Sequence, residues 1–145
     1  MSTIKKFLNL IFIDGLSGMA LGLFSTLIIG TILKQAADLI GGDFGYYLGV
    51  FAVMAQRLTG AGIGIGVAYK YKSSTYVTLS AAAAGMIGAY ATAIISGSIL
   101  SDGALVYSGP GDPLSAFIAV SICLENPCLR RKSRTIMPSS AAEIV

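Results

Sequence analysis

The residues best suited to chemistry stand at one point of an otherwise apolar stretch. Phe44 to Tyr69 contains a single charged side chain, Arg57, and Gln56, Arg57 and Thr59 come directly before a run of alternating glycines. A charged side chain within a membrane helix is costly unless it faces protein, water or a ligand. Transporter helices are often interrupted at such points, which frees backbone groups to hold a polar substrate. The pattern indicates a substrate pathway at Arg57, with a structural ion pair to Asp14 or another buried acid as the alternative.

Two aspartates mark the other candidate positions. Asp112 lies in the segment Ser108 to Pro113, SGPGDP, which specifies a turn because a residue before proline is pushed out of the helical region. The same segment could form the tip of a re-entrant hairpin that offers Asp112 and free backbone amides to a substrate hydroxyl. Asp14, beside Gly15, starts an uncharged stretch and either stabilises a helix end or belongs to the pathway.

The composition excludes several kinds of site. The chain has no His, and its two cysteines, Cys123 and Cys128, form neither a CxxC motif nor half of a two-pair zinc site. Without His, the default acid–base group near neutral pH and the imidazole metal ligand are both missing. We therefore predict no catalytic residue, no metal site, no cofactor and no nucleic-acid partner.

Three long stretches nearly free of charge must position these candidates: 15–33, 44–69 and 73–101. Each is about as long as, or longer than, the roughly 20 residues that a membrane-crossing helix needs. Charged residues make up 12% of the chain, about half the usual share. A fourth apolar segment, Leu114 to Leu124, has only 11 uncharged residues. We predict an all-α fold, a polytopic transmembrane helix bundle with three full spans and a short fourth or re-entrant segment.

The positive charges indicate the orientation of the bundle. With a cytoplasmic N-terminus, the inner segments hold eight of the ten Lys and Arg residues and the outer loops hold only Lys34. The outer loops are acidic, with Asp38, Asp43, Asp102 and Asp112. This is a positive-inside pattern and predicts that both termini are cytoplasmic. The residues before Asp14 fit an amphipathic helix lying along the headgroups better than a cleaved signal peptide.

Small residues fall where helices should touch. Three glycine motifs of the GxxxG type occur: one in the first stretch at Gly18 and Gly22, and two overlapping pairs in the second at Gly60, Gly62, Gly64 and Gly66. Close backbone approach at such positions drives helix association in lipid. Positions 60 and 64 share one helix face, while 62 and 66 lie roughly opposite. We expect neighbours on both sides of this helix, in a tightly packed bundle or a dimer.

The chain divides into two regions by composition. Residues 1–122 form the predicted transmembrane domain, whereas 123–145 hold both cysteines, two of the four prolines and four of the ten basic residues. Three interpretations of the second region remain open. It is a solvated basic cytoplasmic tail, a tail drawn to lipid headgroups, or an unrelated sequence produced by truncation or a shifted reading frame.

Three runs of sequence resemble a known family. They are Phe12 to Gln35 (FIDGLSGMALGLFSTLIIGTILKQ), Thr59 to Lys72 (TGAGIGIGVAYKYK) and Ser108 to Ala119 (SGPGDPLSAFIA). They resemble the N-terminal part of the bacterial phosphotransferase-system sugar permease subunits, the IIC proteins. Within these, they are most similar to the group that includes membrane proteins described as toxin-gene regulators. The resemblance covers about residues 4 to 120, and the chain departs from the pattern after about Val120.

This resemblance implies a sugar permease subunit, multi-pass in the bacterial cytoplasmic membrane. In such systems a phosphoryl group passes from phosphoenolpyruvate through phosphohistidine carriers to a IIB protein, which phosphorylates the sugar that the IIC subunit presents. The implied partners are a sugar, IIA and IIB proteins, the lipid bilayer and a second copy of the chain. A IIC subunit needs no phosphorylated residue, so the lack of His fits. The alternative is a non-transporting regulatory membrane protein or an inactive fragment of a permease.

Overall fold

The computed structural model describes residues 9–101, 104–106 and 109–125, and the described chain is helical apart from one small hairpin. The predicted all-helical class is confirmed. A π-helical turn, Leu10–Gly15, leads directly into the first helix. The helices are α1 (Leu16–Ile40), α2 (Gly42–Arg57), α3 (Thr59–Lys70), α4 (Thr75–Ala89), α5 (Ala91–Ile95) and α6 (Pro113–Glu125), and strand β1 (Leu100–Ser101) pairs antiparallel with β2 (Ala104–Leu105).

Helices α1 and α2 form a tight antiparallel hairpin. The chain reverses at Gly41 and Gly42, whose φ angles of 63° and 66° lie in the left-handed region that glycine adopts without steric cost. The Gly41 N–H donates to the Ala37 carbonyl at 3.1 Å and closes the end of α1. Gly45 lets α2 approach closely, because a Cβ there would lie 2.7 Å from the Ala37 oxygen.

The prediction that Lys34 and Asp38 belong to an outer loop is wrong. Helix α1 continues through both residues to Ile40, and the connection to α2 is the single residue Gly41. The sequence offers nothing to stop the helix earlier, because Lys, Gln, Ala and Leu between 34 and 39 all favour the helical state. Both charged side chains therefore sit on a helix that flanks α2.

The second apolar stretch is divided at Leu58. Helices α2 and α3 meet there at a bend of 46°, and Leu58 has φ −76° and ψ 1°. No proline lies nearby, so the cause is local competition for backbone hydrogen bonds. The Thr59 hydroxyl donates to the Gln56 carbonyl at 2.6 Å and takes up an acceptor at the end of α2.

Glycine and alanine line the contacts between the longer helices, which pack in the order α1, α3, α4, α6. A Cβ added at any of the contact glycines would lie less than 3.0 Å from an atom of the next helix, in most cases a backbone atom. Gly18 and Gly22 face Gly66 and Gly62 between α1 and α3, Gly60 and Gly64 face Gly85 and Ala81 between α3 and α4, and Gly88 faces Ser115 and Ala116 between α4 and α6. Helix α3 thus contacts one neighbour through positions 62 and 66 and the other through 60 and 64.

The apolar core lies around α3, α4 and α6. Ile63, Val67 and Val120 have no exposed surface, and Ala81 and Phe117 pack in the same cluster. Burial of these side chains, together with the close glycine contacts, holds the row of helices in register. The core therefore fixes α3, which begins at the Leu58 bend.

The helices only partly match the predicted spans. The π-helical turn and α1 form one continuous apolar helix, Phe12–Ile40, of 29 residues, which is long enough to cross a membrane. The bent pair α2 and α3 passes the same test if it is counted as one span. Helices α4 and α6 are apolar but have 15 and 13 residues. Among the described residues, one or two helices therefore have the length and composition of a span.

The third apolar stretch ends its helix earlier than predicted. Helix α4 stops at Ala89, and Tyr90 leaves the helical region with φ −107°. The Ala89 carbonyl accepts a hydrogen bond from the Asp112 N–H at 2.8 Å instead of continuing the helix. The contact joins residues 23 positions apart in the sequence, so periodicity along the stretch did not reveal it.

Two predicted segments lie wholly or largely outside the described residues. They are the amphipathic start of the chain before residue 9 and the basic segment after residue 125. Helix α6 itself runs to Glu125 and includes Cys123, which is partly buried.

Candidate substrate groove

Arg57 is the last residue of α2 and lies at the bend. Its side chain is partly exposed, and it lines a groove between α1 and α2. The Nε atom is buried and has no hydrogen-bond partner among the described residues. Buried polar atoms in folded proteins are nearly always hydrogen-bonded. Arg57 therefore brings a fixed positive charge to the groove, and its buried Nε has no acceptor among the described residues.

The groove runs along the α1–α2 hairpin from Arg57 toward Gly41. Its volume is about 750 Å³, within the roughly 300–1,000 Å³ of typical ligand pockets. Gly45 and Gly49 of α2 line the groove, and because glycine has no side chain, they leave space between the two helices. Its other lining residues are Lys34, Ala37, Asp38, Gly41, Gly42, Tyr46, Val50, Val53 and Met54. The lining combines apolar walls with a few charged groups.

Lys34 and Asp38 bring opposite charges to the groove without pairing. They are four residues apart on α1, both exposed, and no ion pair joins them in the described part of the chain. A basic residue four positions before an acidic one is the weaker order for a helical pair. Gly30 packs beside Gln56, so Lys34 lies about one turn, roughly 6 Å along the helix axis, from the level of Arg57. The groove therefore holds two positive charges against one negative charge.

Thr59, the first residue of α3, holds the bend from the side facing α1. Its side chain is 2% exposed, and its hydroxyl donates to the Gln56 carbonyl. The Thr26 hydroxyl lies 3.3 Å from the Thr59 hydroxyl and 3.0 Å from the Gly22 carbonyl. The position of Thr59 is structural in this arrangement, because neither surface nor a free donor is left for a ligand.

Gln56 packs between the two helices of the hairpin. Gly30 makes room for it, since a Cβ at Gly30 would lie 2.5 Å from the Gln56 Cγ. The side chain is partly buried and lies one residue before Arg57 on the same turn. Gln56 therefore fixes how closely α1 and α2 approach at the inner end of the groove.

The glycine–proline turn docks beside the bend through Tyr90. The Tyr90 hydroxyl lies 2.9 Å from the Gly109 carbonyl and 3.4 Å from the Arg57 carbonyl. Gly111 contacts the end of α4 closely, because a Cβ there would lie 2.8 Å from the Ala89 Cβ. The turn and the α2–α3 bend thus meet at Tyr90, which is 3% exposed.

Asp112 caps α6 and is exposed. Its carboxylate accepts hydrogen bonds from the Leu114 N–H at 3.0 Å and from the Ser115 hydroxyl, as an N-cap residue does. Pro113 follows as the first helical residue, where its missing N–H costs nothing. The hydrogen bond from Ser115, and next that from Leu114, lower the pKa of Asp112 below its ordinary value. Both carboxylate oxygens are therefore engaged in holding the helix.

Asp14 lies at the opposite end of the bundle. Thr26 of α1 contacts Thr59 and therefore marks the level of the bend. Asp14 precedes Thr26 by twelve positions, which corresponds to roughly 18 Å along a helix. Its charge acts on Tyr71, whose pKa is raised by burial first and then by Glu125 and Asp14. No ion pair joins Arg57 to Asp14 or Asp112 in the described chain. The alternative interpretation of Arg57 as half of such a pair has no support in the geometry.

Four residues that belong to this region were not among the candidates from the sequence: Lys34, Asp38, Tyr46 and Tyr90. The first two were assigned to a loop, and Tyr90 lies in a stretch interpreted as one helix. A signal for Lys34 was present, since it is the sole basic residue between Lys6 and Arg57.

Comparison with known protein families identifies the family of this chain. The sequence model described as "Phosphotransferase system, EIIC" matches residues 13–131, well over half of the chain. The chain belongs to the phosphotransferase-system EIIC family. It is therefore a component of a phosphotransferase-system permease, and the resemblance noted from the sequence is confirmed. A search of curated proteins and a search of solved structures found no match.

The EIIC match extends the family pattern beyond the point where the sequence was expected to leave it. It reaches residue 131 rather than stopping near Val120, and so includes Cys123, Cys128 and Arg130. The described helix α6 is continuous across this point. EIIC membership implies a sugar substrate and IIB partner proteins for the permease.

Proposed function

We propose that this EIIC chain is a multi-pass subunit of the cytoplasmic membrane that carries a sugar inward for phosphorylation by a IIB partner. In this proposal both termini are cytoplasmic, as the charge pattern predicts. The hairpin turn at Gly41 then faces outward, and the groove opens toward the side from which sugar arrives. Arg57 meets the sugar at the inner end of the groove.

The observation that carries this proposal is the position of Arg57, which lines the groove at the end of a broken helix and forms no ion pair among the described residues. A planar guanidinium offers a fork of donors suited to paired hydroxyl oxygens. Arg57 ends α2 at a bend within an apolar stretch, and transporters often bind polar substrates at such helix interruptions near the middle of the membrane. No acid of the described residues forms an ion pair with Arg57, which leaves its charge available to a ligand in this proposal.

The outer surface of the hairpin supports a lipid environment. Exposed large apolar side chains run along α1, including Phe24, Ile28, Ile29 and Ile32 at 50–59% exposure. On α2, Phe44, Tyr47 and Phe51 are exposed to a similar degree. A soluble monomer rarely exposes such a contiguous apolar surface. We propose that lipid covers most of it and that a second copy of the chain covers part.

Uptake of sugar by cells tests the proposal. The chain is produced with IIA and IIB partners in cells that lack other permeases for the tested sugars, and accumulation of sugar phosphate is measured. Arg57→Leu should lower uptake at least about tenfold, the loss of roughly 1.4 kcal/mol of transition-state binding, with unchanged abundance in the membrane. Lys70→Leu, which removes an exposed charge outside the groove, is the matched control.

Arg57→Lys separates substrate contact from a mere need for positive charge. Loss of uptake by this variant supports bidentate contact with the sugar. Full uptake by the Arg57→Leu protein would remove Arg57 from the site and contradict the proposed pathway.

One observation favours a second candidate, a membrane protein of the family that does not transport. Helices α4 and α6, with 15 and 13 residues, are shorter than the roughly 20 that a span needs. Normal membrane abundance with no uptake of any sugar, in the presence of competent IIA and IIB partners, would favour this candidate.

A further inference from the structure

The charges of the α1–α2 groove specify a narrower class of ligand than a sugar in general. Two cations, Lys34 and Arg57, face one anion, Asp38, in the same groove. Among the described residues none of the three forms an ion pair. The groove therefore carries an excess of one positive charge that the described protein does not neutralise.

This excess is more than a surface feature, because Arg57 is partly withdrawn from solvent. Its side chain lines the groove and forms no ion pair among the described residues, and a partly buried charge is retained in proteins when a partner satisfies it. A neutral hydroxyl of a ligand would accept a hydrogen bond from the Arg57 guanidinium but would not neutralise its positive charge. A ligand oxygen that carries negative charge satisfies both and forms the shorter, stronger charge-assisted bond.

We infer that the groove binds an anionic monosaccharide, one that carries a single carboxylate. The inference rests on the proposed function, since that function requires a sugar that arrives without a phosphate and receives one inside. A carboxylate is then the anionic group that the incoming sugar can bear. The carboxylate lies between Arg57 and Lys34, and the neutral hydroxyls extend toward Asp38, whose carboxylate accepts hydrogen bonds.

The spacing of the groove suits a monosaccharide of this kind. Lys34 lies roughly 6 Å along the axis from the level of Arg57, close enough for both to act on one carboxylate. Asp38 lies one further turn of α1 toward the groove mouth. Tyr46 stands on the opposite wall and is 71% exposed, so its ring is available to cover the apolar face of the sugar.

Binding of two matched sugars tests the inference. The full chain is purified in neutral detergent in a phosphate-free buffer, and its thermal unfolding midpoint is followed against increasing D-glucuronate or D-glucose, with ionic strength matched by sodium chloride. Ligand binding to the folded state raises the midpoint with concentration. Glucuronate should bind at least about tenfold more tightly than glucose, as expected for a charge-assisted contact.

Lys34 and Asp38 are exposed, so variants at these two positions keep the test independent of folding. Lys34→Gln should weaken glucuronate binding much more than glucose binding, whereas Asp38→Asn should tighten glucuronate binding by removing the opposing charge. Arg57→Gln should weaken it most. Lys70→Gln, at an exposed lysine outside the groove, is the control and should change neither sugar.

Equal affinity for the two sugars, or no effect of Lys34→Gln and Asp38→Asn, would overturn the inference. The proposed function would still stand if uptake of a neutral sugar depends on Arg57. Protection by phosphatidylglycerol in place of glucuronate would assign the anion site to a lipid headgroup and also overturn it. Failure of uptake for all sugars contradicts the proposed function itself, so the two failures are distinguishable.

Discussion

At the residue scale, the polar side chains near the α2–α3 bend have different structural roles. Thr59 is buried and its hydroxyl donates to the Gln56 carbonyl. Arg57 lines the groove and forms no ion pair among the described residues. Asp112 uses both carboxylate oxygens to cap α6. Of the five polar residues singled out from the sequence, Arg57 is the one with a buried polar side-chain atom that has no hydrogen-bond partner among the described residues.

Replacement of Asp112 should affect stability before it affects binding. Asp112→Ala removes the N-cap of α6 and should lower the free energy of unfolding by about 1 kcal/mol, whereas Asp112→Asn keeps an acceptor and should cost less. Chemical denaturation in detergent measures both. A larger effect of Asp112→Asn than of Asp112→Ala would contradict the capping role.

The same cap predicts a dependence on pH. Because folding lowers the pKa of Asp112 below its ordinary value of 3.8, its ionised form stabilises the folded state. This contribution is complete above the ordinary pKa and is lost as pH falls through the lowered folded value. The stability difference between the wild-type chain and Asp112→Ala should therefore be constant near neutral pH and shrink in acid. A difference that grows in acid would contradict this account.

At the element scale, close contact of backbones is what joins the helices. Gly64 faces the Ala81 carbonyl of α4 so closely that a Cβ has no space. Gly64→Ala should therefore separate α3 from α4 and lower the thermal unfolding midpoint, and Gly64→Leu should do so more strongly than Leu79→Ala, which trims an exposed side chain.

Gly49→Ala is the matched control for this effect. It lies within α2, where the nearest atom to a new Cβ is the Ala37 Cβ at 3.9 Å, an ordinary contact. Alanine favours the helix over glycine by roughly 0.5–1 kcal/mol, so this variant should keep or raise the midpoint. Equal destabilisation by Gly64→Ala and Gly49→Ala would mean that helix packing does not depend on these close approaches.

The polar end opposite the bend gives a further test. The Tyr71 hydroxyl is buried with no hydrogen-bond partner among the described residues, and burial raises its pKa. Tyr71→Phe removes an unsatisfied polar group and should leave stability unchanged or raise it. Tyr76→Phe, at a site 67% exposed, is the control. A loss of more than about 1 kcal/mol with Tyr71→Phe alone would show that the hydroxyl has a partner.

The sequence patterns predicted which segments are helical better than they predicted where each helix ends. The helical class follows from the long uncharged stretches. The alternating glycines indicated that one helix has neighbours on two faces, and the structure sets positions 62 and 66 against α1 and 60 and 64 against α4. The end of α4 at Ala89 depends on a hydrogen bond from Asp112, a tertiary contact with no local signal. The groove joins Lys34 to Arg57 across the hairpin, which only the register of α1 on α2 reveals.

At the scale of the whole molecule, membership in the EIIC family and the apolar exterior of the α1–α2 hairpin support a protein embedded in the membrane. The predicted orientation sets the groove on the outer side and the turn at Ser73 on the inner side. The groove lies along the α1–α2 hairpin, and Arg57 lies at the α2–α3 bend. The packing of α3 against α4, and of α4 against α6, holds the bend in position.

Labelling of a cysteine in the groove tests this account most directly. Val53 lines the groove and is 40% exposed, so Val53→Cys, in a chain whose Cys123 and Cys128 are replaced by Ser, reports both access and occupancy. In intact cells an impermeant thiol reagent should label Val53→Cys from outside, more slowly when the transported sugar is present, and should label Ser73→Cys only after permeabilisation. Labelling of Val53→Cys only after permeabilisation, or at a rate that no transported sugar changes, would contradict the account.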